Sequence, residues 1–253
     1  MNDSQSIDSL DNTHEPDQRS VELRGNLTAV QKRISAAAAA AGREDGACEL
    51  VVVTKFHTTQ DIRRLAAMGV QDVGESRDQE AAPKSQELGE LALKWHFVGQ
   101  IQTNKAKSVA RYAHAVHSVD RLSLVTALSK GVVAEQEQNN RPDLQCFIQL
   151  NLDPSAEAGR GGASPEQLLE LGAAVDAAVG LELYGVMAVA PLGSDPDAAF
   201  AQLAEHSREL RQQFPHARYI SAGMSGDLEH AIRYGATHLR IGSDVLGPRP
   251  PIR

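Results

Sequence analysis

The chain has 253 residues, 42% hydrophobic and 23% charged, ordinary globular proportions that suit a sizeable core and one large α/β domain. Its net charge of −8 and pI near 5.6 argue against nucleic acid or an anionic membrane as the main partner, while leaving room for a local basic pocket. There is no apolar run of membrane-spanning length and no basic-then-apolar signal pattern. The two cysteines, Cys48 and Cys146, read as small core residues rather than a disulfide or metal framework, which points to the cytoplasm.

Residues 1–18 are polar, acidic and aperiodic, and read as a disordered tail; the remaining 19–253 read as one domain. Apolar residues at Leu23, Leu27, Val30 and Ile34 mark one face of a helix that the alanine run Ala36–Ala41 extends to Gly42. Leu50-Val51-Val52-Val53 reads as a strand buried on both faces, ending at Lys55. Thr59 can cap a helix that stops at Gly69. Further strands are expected at Val70–Gly74, Leu93–Val98, Ala115–Val119, Leu144–Leu152, Leu181–Val189, Arg218–Ser221 and His238–Ile241. Helical patterns lie between them, and Pro248, Pro250 and Pro251 end any further structure. Eight strands in such alternation, in about 250 residues, predict a (β/α)₈ TIM barrel with an extra N-terminal helix. A doubly wound sheet ranks second, because no Gly-x-Gly-x-x-Gly turn follows the first strand.

In such a barrel the chemistry sits at the C-terminal ends of the strands, where Lys55 falls. A lysine with lowered pKa at an apolar mouth suits imine chemistry; a strand-end lysine can also simply reach water along its own stem. The last two βα junctions, Ser221-Ala-Gly223-Met224-Ser225-Gly226-Asp227 and Arg240-Ile-Gly242-Ser243-Asp244, combine glycines, hydroxyls and helix starts, as phosphate loops do. Lysine and phosphate loops across one mouth fit a ligand with an aldehyde at one end and a phosphate at the other. Pyridoxal 5′-phosphate is one such ligand and a phosphosugar is another.

The segments Val52-Val53-Thr54-Lys55, Gly74-Glu75-x-Arg77-x-Gln79-Glu80, Trp95-His96-Phe97-Val98-Gly99-x-x-Gln102-x-Asn104-Lys105, Val186-Met187-Ala188, Ser221-x-Gly223-Met224-Ser225-x-Asp227 and Arg240-Ile241-Gly242-Ser243 are specific when taken jointly and in order. On them the chain resembles the YggS/PROSC family of pyridoxal phosphate homeostasis proteins, from about Val21 to Gly247. The resemblance implies a fold-type III barrel, similar to the N-terminal domain of alanine racemase but without its second domain. It implies Lys55 as the imine lysine and Ser221, Ser225, Gly242 and Ser243 around the phosphate. Arg240 would face the pyridine nitrogen, with Ser76 and Met224 also beside the cofactor. Ser76 stands where the family usually has Asn, and Ser243 where it usually has Thr.

A cytoplasmic monomer that carries or buffers the cofactor, with apoenzymes as possible acceptors and no robust catalysis, is the expected function. The rival is a racemase or another enzyme using the same cofactor. A racemase needs two bases, and the tyrosine that serves as the second in similar racemases comes from a domain this chain lacks. A phosphosugar Schiff-base enzyme and an interaction scaffold are further alternatives. His114-x-x-His117 is not expected to bind metal, since odd spacing along a strand separates the rings and no third ligand is evident. Gly159-Arg160-Gly161-Gly162 reads as a lid, His57 as solvated, and Trp95 as packing.

Overall fold

A computed structural model describes residues 17–153 and 161–248. Eight strands, β1 (Glu49–Val53), β2 (Asp72–Glu75), β3 (Lys94–Phe97), β4 (Ala113–Val119), β5 (Leu144–Gln149), β6 (Leu181–Met187), β7 (Tyr219–Ser221) and β8 (His238–Ile241), form a closed parallel barrel in chain order. The barrel closes where β1 pairs with β8, from Glu49 opposite His238 to Val52 opposite Ile241. Around it lie α1 (Gln18–Ala40), α2 (Thr59–Ala67), α3 (Asp78–Glu87), α4 (Ala106–Tyr112), α5 (Leu122–Asn139), α6 (Leu168–Asp176), α7 (Pro196–Gln213), α8 (Leu228–Arg233) and α9 (Ser243–Leu246). The expected TIM barrel and N-terminal helix are both present.

Val51, Val52 and Val53 are buried, as a strand covered on both faces requires. The α1 stripe of Leu23, Leu27, Val30, Ile34 and Ala38 is buried too, so this helix gains its stability by packing an apolar face. It lies against α8 and α9. Asn26 Nδ2 donates to the Val245 carbonyl (3.1 Å), and Arg33 donates to Asp244 (2.6 Å), to Glu229 (2.8 Å) and to the Ser225 carbonyl (3.1 Å). The N-terminal helix thereby braces both junctions expected to hold a phosphate.

Several boundaries differ from the sequence reading. The expected tail lies outside the described residues except for its last two positions. There the helix already starts at Gln18, because the Asp17 side chain accepts the Ser20 N–H (2.9 Å). Thr58, not Thr59, caps α2, accepting the Asp61 N–H at 3.2 Å. A short helix, α9, follows β8 before Pro248. Strand β1 stops at Val53, two residues before Lys55. The Thr54 N–H still bonds the Gly74 carbonyl (2.8 Å), but the chain then turns through Phe56 at φ 69°.

The barrel interior is not the usual filling of branched aliphatics. His117 stacks on Phe147 at 4.4 Å between ring centroids, and Tyr184 on Tyr219 at 4.0 Å. His238 lies edge-on to Phe147, Tyr184 and Tyr219. The odd spacing of His114 and His117 does not separate them. Both rings lie against His96, at 5.9 and 5.1 Å, where the β3–β4 register shifts between Trp95 and His96. No metal-binding group of three or more His, Cys, Asp or Glu occurs among the described residues.

Candidate functional site

At the C-terminal mouth of the barrel lies a cavity of about 410 Å³, lined at and just past the end of β1 by Val53 and Lys55, at the β8–α9 junction by Arg240, Gly242 and Ser243, and from the β7–α8 turn by Met224, Ser225 and Gly226. Ser76, Val98 and Val189 complete it. Among the described residues, two cations and no carboxylate line this space, in a chain of net charge −8. A smaller hollow of about 260 Å³ adjoins it through Val189 but has Asp153 and no cation. Only the first hollow combines an amine, a guanidinium and a pair of hydroxyls.

Lys55 is exposed, so it reaches the cavity through the solvated mouth rather than from a buried strand end. It is the only amine lining the cavity among the described residues. The segment that carries it is held firmly. Phe56 has a left-handed backbone that a bulky side chain adopts only at a cost of about 1–2 kcal/mol. Its N–H donates to Glu80 Oε2 (3.0 Å), and the Arg77 guanidinium lies 5.0 Å above its ring. Beneath, the buried Glu75 accepts from Thr54 Oγ1 (2.7 Å) and from Lys84 Nζ (2.7 Å), and Lys84 also donates to the Thr54 carbonyl (3.1 Å). Burial pushes the Glu75 carboxyl up, against the opposing pull of Lys84 and Thr54. The motif Gly74-Glu75-x-Arg77-x-Gln79-Glu80 is thus a clamp on the turn bearing Lys55.

The two junctions meet across the mouth, with the Ser243 and Ser225 hydroxyls 3.1 Å apart. A Cβ on Gly242 would lie 3.2 Å from the Val53 carbonyl oxygen, and Gly223 needs its φ of +90° with Ala231 at 2.8 Å from any added Cβ. Over Gly226, which also lines the cavity, an added Cβ would meet nothing within 4 Å. Hydroxyl and backbone donors at these two junctions, in a cavity that also holds two cations, match the chemistry of a phosphate ester.

Arg240 is only 5% exposed and donates to Ser221 Oγ (2.6 Å) and the Ala188 carbonyl (3.0 Å). Burial lowers its pKa to about 10, still cationic at neutral pH. Ser221, expected among the phosphate ligands, is not brought to the cavity. It is fully buried beneath Arg240, and its hydroxyl is spent on Arg240 and on His117 (2.7 Å). Met224 and Ser76 do line the cavity. His57, read as solvated, is buried against α2, 3.9 Å from Asp61, and is absent from the cavity wall. Of the expected lid, Gly159 and Arg160 lie outside the described residues. Its end is pinned, with Gln149 Nε2 donating to the Gly161 carbonyl (2.9 Å) and the Ala163 N–H to Gln149 (2.8 Å).

Residues 25–250 match the alanine racemase N-terminal domain family. A pyridoxal phosphate homeostasis protein of Mycobacterium tuberculosis is 44% identical over 248 residues, 92% of this chain and 95% of the relative. The chain belongs to the pyridoxal phosphate homeostasis protein family. Among solved structures, PipY of Synechococcus elongatus, determined with PLP bound, is 29% identical with a TM-score of 0.76, covering 89% of this chain and 100% of that one. Alanine racemase of Corynebacterium glutamicum shares the fold alone, at 14% identity and a TM-score of 0.66, and this chain spans 60% of its length.

The clamp yields a prediction for this family member. Glu80→Ala removes the charged acceptor of the Phe56 N–H, an interaction worth about 1.5–3 kcal/mol. Covalent capture of an aldehyde ligand by Lys55 should weaken roughly tenfold or more, with binding of inorganic phosphate unchanged. Equal capture by Glu80→Ala and wild type, titrated by absorbance, would show that the turn holds without it.

Proposed function

We propose that this chain binds pyridoxal 5′-phosphate at the barrel mouth and carries or buffers it, supporting homeostasis of the cofactor without robust catalysis of its own. The observation that carries this reading is one cavity holding an amine, a buried guanidinium and a hydroxyl pair, with no acid lining it among the described residues. When bound, the cofactor supplies an aldehyde that condenses with amines and a ring that can withdraw electrons.

Lys55 offers the amine for that aldehyde. Ser225, Ser243 and the backbone at Gly242 hold the phosphate, and Ser76 and Met224 flank the ring. Arg240 faces the ring nitrogen. A guanidinium only donates, so that nitrogen stays unprotonated and the ring is a weaker electron sink. Among the described residues, no tyrosine lines the wall to serve as a second proton-transfer base. Tyr184 and Tyr219 stack on each other inside the barrel, and Tyr112 donates to Asp78 (3.3 Å). Neither these nor Tyr234 is among the lining residues. Apoenzymes are the proposed acceptors, and the carrier acts as a cytoplasmic monomer. The free thiols of Cys48 and Cys146 agree with a reducing compartment.

Protein loaded with the cofactor should give negligible racemase or transaminase turnover over a panel of amino acids, read by chiral chromatography. Steady turnover that disappears in Lys55→Ala would replace the carrier by an enzyme.

A further inference from the structure

Arg240 is buried and makes no ion pair among the described residues, although the charge of Asp227 acts on it; a polar chain leads away from it through the barrel core. Arg240 Nη1 lies 2.6 Å from Ser221 Oγ, and Ser221 Oγ 2.7 Å from His117 Nδ1. His117 Nε2 is 2.9 Å from His96 Nδ1, and His96 Nε2 is 2.9 Å from Asp72 Oδ1. Ser221 and His117 are 0% exposed and His96 2%. Asp72 opens β2, at the opposite end of the barrel from the cavity. Its side chain is 17% exposed, with Lys94 Nζ at 3.7 Å.

The proton order along this chain is fixed from both ends. A guanidinium has no acceptor, so Arg240 must donate to Ser221; an ionised carboxylate has no donor, so Asp72 must accept from His96. Burial disfavours charge on both imidazoles, and each neutral ring has one N–H and one bare nitrogen. Burial also pushes the Asp72 carboxyl up, but the His96 hydrogen bond and the Lys94 ammonium oppose this, and it is held below its usual range. His96 therefore donates through Nε2 and accepts at Nδ1. His117 donates through Nε2 to His96 and accepts at Nδ1, leaving Ser221 to donate its hydroxyl to His117. All four bonds point from Arg240 towards Asp72, and no member is left unsatisfied.

We propose that Ser221, His117 and His96 are positioning residues that connect Arg240 through ordered hydrogen bonds to the Asp72 carboxylate, so that one end of the barrel sets the guanidinium at the other. The Ser221 and Ala188 bonds fix two arms of Arg240, and its remaining N–H groups are left for the cavity. Charge and hydrogen-bond order, rather than contact, would then govern how the ring end of the ligand is held. For its effect on the cofactor this rests on the reading in the preceding subsection; the relay itself does not.

The test begins on the full chain without added cofactor. ¹⁵N NMR of the histidines should show His96 and His117 both protonated at Nε2 and bare at Nδ1 at neutral pH. Protonation at Nδ1, or a charged ring, at either residue overturns the relay. Asp72→Ala, at a partly exposed position, should release the fixed tautomer of His117 although the two residues are not in contact. It should also weaken pyridoxal phosphate and phosphate-free pyridoxal by the same factor, about three- to tenfold, and shift the visible band of the bound cofactor. An unchanged His117 tautomer with both affinities within about twofold of wild type contradicts the proposal, while leaving the cofactor reading standing. If wild type takes up no pyridoxal phosphate, that reading fails, and the tautomers alone decide the relay.

Discussion

Lys55→Ala should abolish the visible absorbance and the borohydride-stable adduct formed with pyridoxal phosphate, while leaving the barrel folded. The expectation follows from position and supply. Lys55 is the only amine on the cavity wall among the described residues, and it lies on a turn that the protein holds at the expense of a left-handed Phe56. The nearest alternative, Lys84, cannot replace it without breaking other bonds. Its amine is held by Glu75 (2.7 Å) and by the Thr54 carbonyl (3.1 Å), and freeing it would leave the buried Glu75 unpaired. Because Lys55 is exposed and packs into no core, its loss should move the melting temperature little. Peptide mapping of a persistent adduct to Lys84 or any other lysine in Lys55→Ala would refute the assignment.

Pyridoxal lacking its phosphate should bind at least about a hundredfold more weakly than pyridoxal phosphate. Hydrogen bonds to a charged group contribute about 1.5–3 kcal/mol each, and the paired hydroxyls of Ser225 and Ser243 supply two candidates before any backbone donor is counted. Ser225→Ala and Ser243→Ala should each weaken the phosphate form by roughly ten- to a hundredfold and barely affect pyridoxal. The two hydroxyls touch, so the double variant should lose less than the product of the single losses. Equal affinities of wild type for the two ligands, measured by titration calorimetry, would mean that the phosphate is not read at these loops.

The barrel was legible in the sequence because alternation of buried runs and helical stripes is a local signal. The two glycine- and serine-containing junctions were legible for the same reason: each lies within a few consecutive residues. Ser221 marks where local reading fails. Its place beside Ser225 suggested the phosphate, but it is the last residue of β7 and points into the core under Arg240. The relay was invisible for a related reason. His96 and His117 are 21 residues apart and Ser221 is 104 beyond His117, so only closure of the barrel brings them together. The Lys55 turn was misjudged because nothing about phenylalanine announces a positive φ; glycine or asparagine would have. The Glu75, Arg77 and Glu80 segment was recognised as a motif, but its work as a clamp emerged only with Phe56 and Lys84 in place.

The most direct test of the account is an absorbance titration of the purified chain with pyridoxal phosphate, followed by borohydride reduction and peptide mapping. A visible band that saturates at about one cofactor per chain is expected, since the mouth cavity has one lining amine among the described residues, together with a reduced adduct on Lys55. No saturable band, or a reduced adduct spread over surface lysines, would contradict it.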